Sequence, residues 1–233
     1  MFDLIAFDAD DTLWHTEELY VGTQDRFKAL LAPYHSAEWI DKVLFDTEMR
    51  NLRAFGYGIK GFTLSMIETA IELTEGRISG AEIQGIIDMA RAMLDADVRL
   101  LDGVAETVAA LAQRYPLMII TKGDLYDQET KVARSGLGPY FKHVEIVSDK
   151  TEASYAALLR RYQVVPERFL MVGNSVRSDI LPVVRLGGHA VHIPYHLTWA
   201  HEVVTETQVG ESSFVTLESV GLLPAWLEEA AGL

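Results

Sequence analysis

Residues 4–12 read Leu4-Ile5-Ala6-Phe7-Asp8-Ala9-Asp10-Asp11-Thr12, four apolar residues followed at once by carboxylates. The short, continuous apolar run predicts a strand buried on both faces, as in a parallel sheet. Ligands bind outside the carboxyl ends of such strands, so Asp8 and Asp10 are candidate functional residues. Asp11 lies beside them, and we expect it to be a solvated turn residue.

Similar apolar runs recur along the second half of the chain. They cover residues 117–121, 144–147, 169–172 and 190–193, with a weaker run at 214–216. Amphipathic helix patterns lie between the later runs. Alternating strands and helices predict an α/β fold with a doubly wound, Rossmann-like parallel sheet.

The stretch from residue 15 to residue 98 breaks this alternation, because it contains no strand-like run but four successive helix patterns. The fourth pattern is opened by a capping box, Ser79-x-x-Glu82, and an earlier one by a candidate N-cap at Ser36. We therefore expect an inserted α-helical bundle over residues 15–98, with residues 1–14 and 99–233 forming the α/β core.

Composition and charge exclude several classes of function. The 233 residues are 49% hydrophobic, and 34 Asp and Glu against 20 Lys and Arg give a formal net charge of −14. This charge repels phosphate backbones and anionic lipid, so we expect neither nucleic acid nor a membrane as a partner. The chain has no cysteine, which excludes disulfides and thiolate chemistry.

The N-terminal residues and the hydropathy favour a cytoplasmic location. Residues 1–8 lack the basic region of a signal peptide and become acidic too early for one. No apolar run approaches the ~20 residues needed to span a bilayer. We expect a soluble, cytoplasmic protein.

Polar side chains also follow three other predicted strands. These strand ends carry Thr121-Lys122-Gly123, then Asp149-Lys150-Thr151, then Gly173-Asn174-Ser175 with Ser178-Asp179. The carboxyl ends of parallel strands meet at one edge of a sheet, so we expect these groups to lie near Asp8 and Asp10.

The order of these motifs resembles the haloacid dehalogenase superfamily, whose members are mostly phosphatases. Asp8, Asp10 and Thr12 match its Asp-x-Asp-x-Thr motif, Thr121 its second motif and Lys150 its third. The fourth motif matches residues 173–179 with one change, Asn174 where the family commonly has a metal-binding Asp. The resemblance covers nearly the whole chain and implies a helical cap inserted after the first motif.

Phosphate-ester hydrolysis assigns separate roles to the two carboxylates. Asp8 is the candidate nucleophile that forms an aspartyl-phosphate, and Asp10 the acid that protonates the leaving oxygen and later deprotonates water. A free Asp has a pKa of ~3.9, so we expect burial or a neighbouring carboxylate to help Asp10 hold a proton.

Carboxylates facing a phosphate need a hard cation between them, which predicts Mg²⁺ as the cofactor. The expected ligands are Asp8, the Asp10 carbonyl and Asp179, with Asn174 as an uncharged oxygen donor that weakens the affinity. The remaining phosphate oxygens are expected to be held by Thr12, Thr121, Lys122, Gly123 and Lys150.

The predicted activity is a Mg²⁺-dependent phosphatase acting on a small-molecule phosphate ester. A 2-haloacid dehalogenase is one alternative, but such family members need no metal and lack an acid at the position of Asp10. A phosphomutase and a catalytically silent family member are the others, and a homodimer stays open. The segment from His192 to His201 is expected to be a structured loop edging the site, because its histidine spacing fits no compact zinc pattern.

Overall fold

The computed structural model describes residues 2–209 and 214–230. In this part of the chain six parallel strands form one sheet in the order β3-β2-β1-β4-β5-β6. The strands are β1 Leu4–Phe7, β2 Leu117–Lys122, β3 His143–Val147, β4 Phe169–Gly173, β5 His189–His192 and β6 Val215–Thr216. The predicted parallel α/β sheet is confirmed, and each predicted strand agrees to within one residue at each end.

Ten α-helices accompany the sheet in the described residues. They are α1 Glu17–Leu31, α2 Ala37–Phe55, α3 Ile59–Leu73, α4 Gly80–Asp95, α5 Val104–Ala112, α6 Leu125–Arg134, α7 Glu152–Tyr162, α8 Leu181–Arg185, α9 Glu206–Val209 and α10 Leu223–Ala230. The sequence patterns did not predict α6, which has few apolar residues to mark a periodic face.

An apolar cluster covers each face of the sheet, and successive side chains of β1 point alternately into the two clusters. Ile5 and Phe7 pack in one apolar cluster with side chains of α5 and α10. Leu4 and Ala6 pack in another with side chains of α7. The apolar run of β1 therefore lies at the centre of a doubly wound sheet.

The strand order sets the position of the site. β1 lies between β2 and β4, so the chain winds outward from β1 in both directions. Where the strand order changes direction, here between β1 and β4, a crevice opens beyond the carboxyl ends of the two strands. The residues after β1 and β4 border this crevice.

Contacts divide the chain into two units, of which the sheet belongs to one. The other comprises Glu18–Asp97 and Gly123–Gln128. Its helices α1–α4 enclose an apolar cluster of their own, including Phe27, Met66 and Ile86. Helix α4 begins at the predicted capping box, in which Ser79 and Glu82 bond reciprocally, and α2 begins at the predicted N-cap Ser36.

No helix in the described residues is long and apolar enough to cross a membrane.

Candidate active site

A pocket opens at the carboxyl edge of the sheet. It is lined by Asp8, Asp10, Asp11, Glu17, Thr121, Lys122, Lys150, Asn174, Ser175, Ser178, Asp179, Leu197, Thr198, Trp199 and Glu202. The structure thus brings candidate residues from four strand ends to one place, although Thr12 and Gly123 are not among the lining residues.

Lys150 connects the first and fourth motifs. Its ammonium donates to Asp179 Oδ1 at 2.7 Å and to Asp8 Oδ1. The side chains of Lys150 and Asp179 are each 1% exposed. Buried charges are tolerated when they are paired and hydrogen-bonded in this way.

Burial and pairing shift the protonation of this group. Burial raises the pKa of Asp8 to about 7, with Lys150 opposing the shift and Asp179 adding to it. Burial acts against the charge of Lys150, but Asp179 and Asp8 together outweigh it and raise the Lys150 pKa. Lys150 is therefore a fixed positive charge against the carboxylate of Asp8.

Thr12 links Asp8 to the fourth motif. Its hydroxyl lies 3.2 Å from Asp8 Oδ2 and 3.3 Å from Asn174 Oδ1, and can donate to either. The side chain is fully buried. These contacts suit Thr12 to orient Asp8 and Asn174, and its contact with phosphate stays a prediction.

Asp10 is surrounded by donors. Its carboxylate accepts from Trp14 Nε1 at 2.7 Å, from Thr16 Oγ1 at 2.8 Å and from Lys131 Nζ at 2.7 and 3.0 Å. A cation and two neutral donors favour the ionised form of Asp10, whereas the carboxyl groups of Asp8, Asp11 and Glu17 act against its charge. That a neighbouring carboxylate helps Asp10 hold a proton stays a prediction.

Asp11 is buried rather than solvated, which corrects the expectation for this residue. Only 6% of it is exposed, and its carboxylate accepts from the backbone N–H groups of Thr16 and Glu17 at the start of α1. Burial raises its pKa to about 7 despite these bonds. Asp11 has a positive φ of 62°, and it organises the turn that follows the first motif.

Gly173 lets the Asp179 carboxylate lie directly against the backbone at the end of β4. A Cβ at this position would lie 2.3 Å from Asp179 Oδ2, and Asp179 Oδ2 in turn accepts from the Ser175 backbone N–H at 3.0 Å. Only glycine leaves room for the Asp179 carboxylate to fold back over the end of β4.

Gly173→Ala is therefore expected to destabilise the protein by about 2 kcal/mol, because an added methyl must displace a buried carboxylate. Turnover should fall as well, since Asp179 moves away from Lys150. Urea unfolding measures the change. Gly85→Ala is the matched control, because Gly85 lies within α4 with nothing within 4 Å of its added Cβ. Equal stability of the Gly173 variant and the wild type would contradict the steric argument.

The second motif contributes a buried hydroxyl and a paired lysine. Thr121 is 1% exposed at the end of β2, and Gly123 has a positive φ of 130°. Lys122 Nζ donates to Glu202 Oε1 at 2.7 Å and to Ser178 Oγ at 2.9 Å. Lys122 was predicted to bind phosphate, and in the structure its ammonium donates hydrogen bonds to two side chains of the protein.

Glu202 was not among the predicted site residues. It accepts from Lys122 and from the hydroxyls of Ser175 and Ser178. Burial acts against its charge, but Lys122 and the hydrogen bonds outweigh burial and lower its pKa to about 2. The only sequence signal was its place in the loop after the fifth strand.

The segment from His192 to His201 borders the pocket, but through residues other than its histidines. His192 Nε2 donates to the Asn174 carbonyl at 3.0 Å, and Leu197, Thr198 and Trp199 line the cavity. Within the described ranges, no group of three His, Asp or Glu side chains is arranged to hold a metal ion. A cation at this site would therefore need backbone, amide or water oxygens in addition to carboxylates.

Fold and site together define a hydrolase of the haloacid dehalogenase type. The family model described as haloacid dehalogenase-like hydrolase matches residues 2–187. The chain belongs to this family.

Solved structures and a curated relative agree with this assignment. A haloacid dehalogenase-like family hydrolase from Xanthomonas campestris is 41% identical, with a TM-score of 0.87 over 98% of this chain and 91% of that one. A 2-haloacid dehalogenase from Pseudomonas syringae is 21% identical, with a TM-score of 0.64 over 99% of this chain and 100% of that one, and shares the fold.

The third relative is the HAD-hydrolase YfnB of Bacillus subtilis. It is 27% identical over 99 residues, which span 39% of this chain and 41% of YfnB. Its structure, solved bound to magnesium, has a TM-score of 0.67 and 16% identity over 100% of this chain and 99% of that one. This similarity likewise concerns the fold.

Proposed function

We propose that the protein is a Mg²⁺-dependent phosphatase that hydrolyses a small-molecule phosphate monoester through an aspartyl-phosphate on Asp8. The observation that carries the proposal is the presence of two carboxylates, Asp8 and Asp10, in one pocket with the cation Lys150 against the first. A nucleophile, a proton-transfer group and a fixed positive charge are what this reaction requires.

The reaction runs in two steps. An Asp8 carboxylate oxygen attacks phosphorus, the ester P–O bond breaks, and the leaving oxygen takes a proton from Asp10. Asp10, now ionised, then removes a proton from water as that water attacks the phosphorus, which releases phosphate and restores Asp8. The donors around Asp10 favour the ionised form needed in the second step, and the neighbouring carboxyl groups of Asp8 and Asp11 favour the protonated form needed in the first.

Lys150 and Thr121 support both steps. The Lys150 ammonium reaches Asp8 Oδ1 and Asp179 Oδ1 at once, so it lies where negative charge accumulates during transfer. Thr121, which lines the same pocket near the end of β2, would bind a phosphoryl oxygen through its hydroxyl.

The side chains around Lys150 fit Mg²⁺, because every candidate donor is an oxygen. Asp8 and Asp179 both pair with the ammonium of Lys150. Asn174 lies close to Asp8, because the Thr12 hydroxyl is within hydrogen-bond distance of both side chains. Asp8, Asp179, Asn174 and the Asp10 carbonyl would hold the ion. When bound, it would neutralise charge on the phosphoryl group. The magnesium-bound YfnB structure supports this choice.

Asp10 favours a phosphatase over a 2-haloacid dehalogenase, the activity that the Pseudomonas syringae relative is named for. A dehalogenase displaces halide from carbon and needs no proton for the leaving group. Here Asp10 lies in the pocket, held by Trp14, Thr16 and Lys131, as a group that could give the leaving oxygen of a phosphate ester its proton.

Mg²⁺ and substrate choice together test the proposal. The wild type is expected to hydrolyse para-nitrophenyl phosphate with Mg²⁺, to lose at least about a hundredfold in rate with EDTA, and to regain it when Mg²⁺ is restored. Halide release from 2-chloropropionate should be undetectable. Halide release without phosphate-ester hydrolysis would establish the dehalogenase, and neither reaction would indicate a catalytically silent protein.

A further inference from the structure

One wall of the pocket is formed by residues that follow β5. The proposed mechanism gives these residues no role. Leu197, Thr198 and Trp199 line the cavity beside the carboxylates. Leu197 and Trp199 are half-buried, so each presents part of an apolar surface to the opening. All three belong to the same unit as the sheet, not to the helical unit.

The start of this wall is fixed to the first motif. The hydroxyl of Tyr195 lies 2.7 Å from Nδ1 of His15, and the two rings pack at 5.8 Å. His15 is itself held by the bond from its backbone N–H to the Arg99 carbonyl at 3.0 Å. The residues before Leu197 are therefore tied to the chain that leaves Asp10.

The end of the wall is fixed to the second and fourth motifs. Glu202 accepts from Lys122, Ser175 and Ser178, and only 14% of its side chain is exposed. Arg177 donates to the His201 carbonyl at 2.5 Å. Charged hydrogen bonds of this kind are roughly twice as strong as neutral ones, so the segment is anchored on both sides of Trp199.

The charge of the pocket limits what can lie against this wall. Six carboxyl side chains line the cavity, Asp8, Asp10, Asp11, Glu17, Asp179 and Glu202, against the two lysines Lys122 and Lys150. Both lysines are already paired with carboxylates. A leaving group with its own negative charge would be repelled, whereas an uncharged apolar one would gain contact with Leu197 and Trp199.

We propose that residues 195–202, anchored by His15 and Glu202, form a specificity segment that selects phosphate monoesters with an uncharged, apolar-faced leaving group through Leu197 and Trp199. This rests on the proposed phosphatase activity and adds the class of substrate to it. Trp199 lines the cavity and also packs against the His201 ring at 4.9 Å, and a flat substrate ring in contact with it would be stabilised beyond the area that it buries.

Binding of non-hydrolysable phosphonates tests the segment. By calorimetry with Mg²⁺, the wild type is expected to bind phenylphosphonate about tenfold more tightly than methylphosphonate. Trp199→Ala should abolish this preference, and Trp199→Phe should retain most of it. Trp39→Ala is the matched control, because Trp39 is exposed on α2 and does not line the pocket. At low salt, 4-carboxyphenylphosphonate should bind more weakly than phenylphosphonate.

The outcomes separate this inference from the proposed function. An unchanged phenyl preference in Trp199→Ala, or equal binding of the charged and uncharged phenyl compounds, would overturn the specificity segment while Mg²⁺-dependent hydrolysis still stood. Absence of both hydrolysis and phosphonate binding in the wild type would overturn the two proposals together. Should Trp199→Ala fail to fold, as judged by circular dichroism, Leu197→Ala must show a reduced phenyl preference or the inference fails.

Discussion

Asp8→Asn is expected to lower kcat for para-nitrophenyl phosphate by at least about a thousandfold, because an amide has the shape of the carboxylate but no nucleophilic oxygen of comparable strength. The amide oxygen can accept from Lys150 while the amide N–H donates to the Thr12 hydroxyl, which can still donate to Asn174 Oδ1, so the geometry around the end of β1 should persist. Steady-state kinetics with saturating Mg²⁺ measures the loss, and thermal unfolding confirms that the variant is folded.

Asp88→Asn is the matched control for this substitution. Asp88 lies on α4 with 57% of its side chain exposed, and pairs with Arg91 at 2.8 Å. An exposed pair of this kind contributes little, so kcat should be unchanged. Turnover by folded Asp8→Asn at the wild-type rate would exclude Asp8 as the nucleophile.

Lys150→Met is expected to destabilise the metal-free protein by about 3 kcal/mol, because it leaves two buried carboxylates, Asp8 and Asp179, without their shared cation. Methionine fills a similar volume, so loss of charge is the main change. Urea unfolding at pH 7 in EDTA measures the difference. Mg²⁺ should recover part of it, and should stabilise the variant more than the wild type.

Lys42→Met provides the comparison for Lys150→Met. Lys42 pairs with Asp46 at 2.8 Å on α2, with both side chains more than half exposed, so its loss should change stability by less than about 0.5 kcal/mol. Equal stability of Lys150→Met and the wild type in EDTA would show that Lys150 does not hold the carboxylates together. Catalysis should also fall steeply in this variant, since the fixed positive charge is gone.

The strands and the meeting of the four motifs could be predicted because they depend on local pattern and on a general property of parallel sheets. Leu4–Phe7 is apolar at every position because both its faces are buried. Once the runs are ordered as strands, their carboxyl ends must meet, which brings Asp8, Lys150 and Asp179 together.

The missed features depend on contacts between residues distant in sequence. Lys131 reaches Asp10 across 121 positions, from α6, a helix with few apolar residues. Glu202 reaches Lys122 across 80 positions, from a loop with no periodic pattern. Asp11 looked like an ordinary turn residue because its burial comes from neighbours that the local sequence does not specify.

The most direct test of the proposed phosphatase mechanism is to identify the covalent intermediate on Asp8. Wild-type protein with Mg²⁺ is mixed rapidly with para-nitrophenyl phosphate, quenched in acid, digested and examined by mass spectrometry. We expect a phosphoryl group on the carboxylate of Asp8, formed as fast as nitrophenol is released and absent in Asp8→Asn. Turnover with no phosphorylated Asp8, or with the phosphoryl group on another residue, would contradict it.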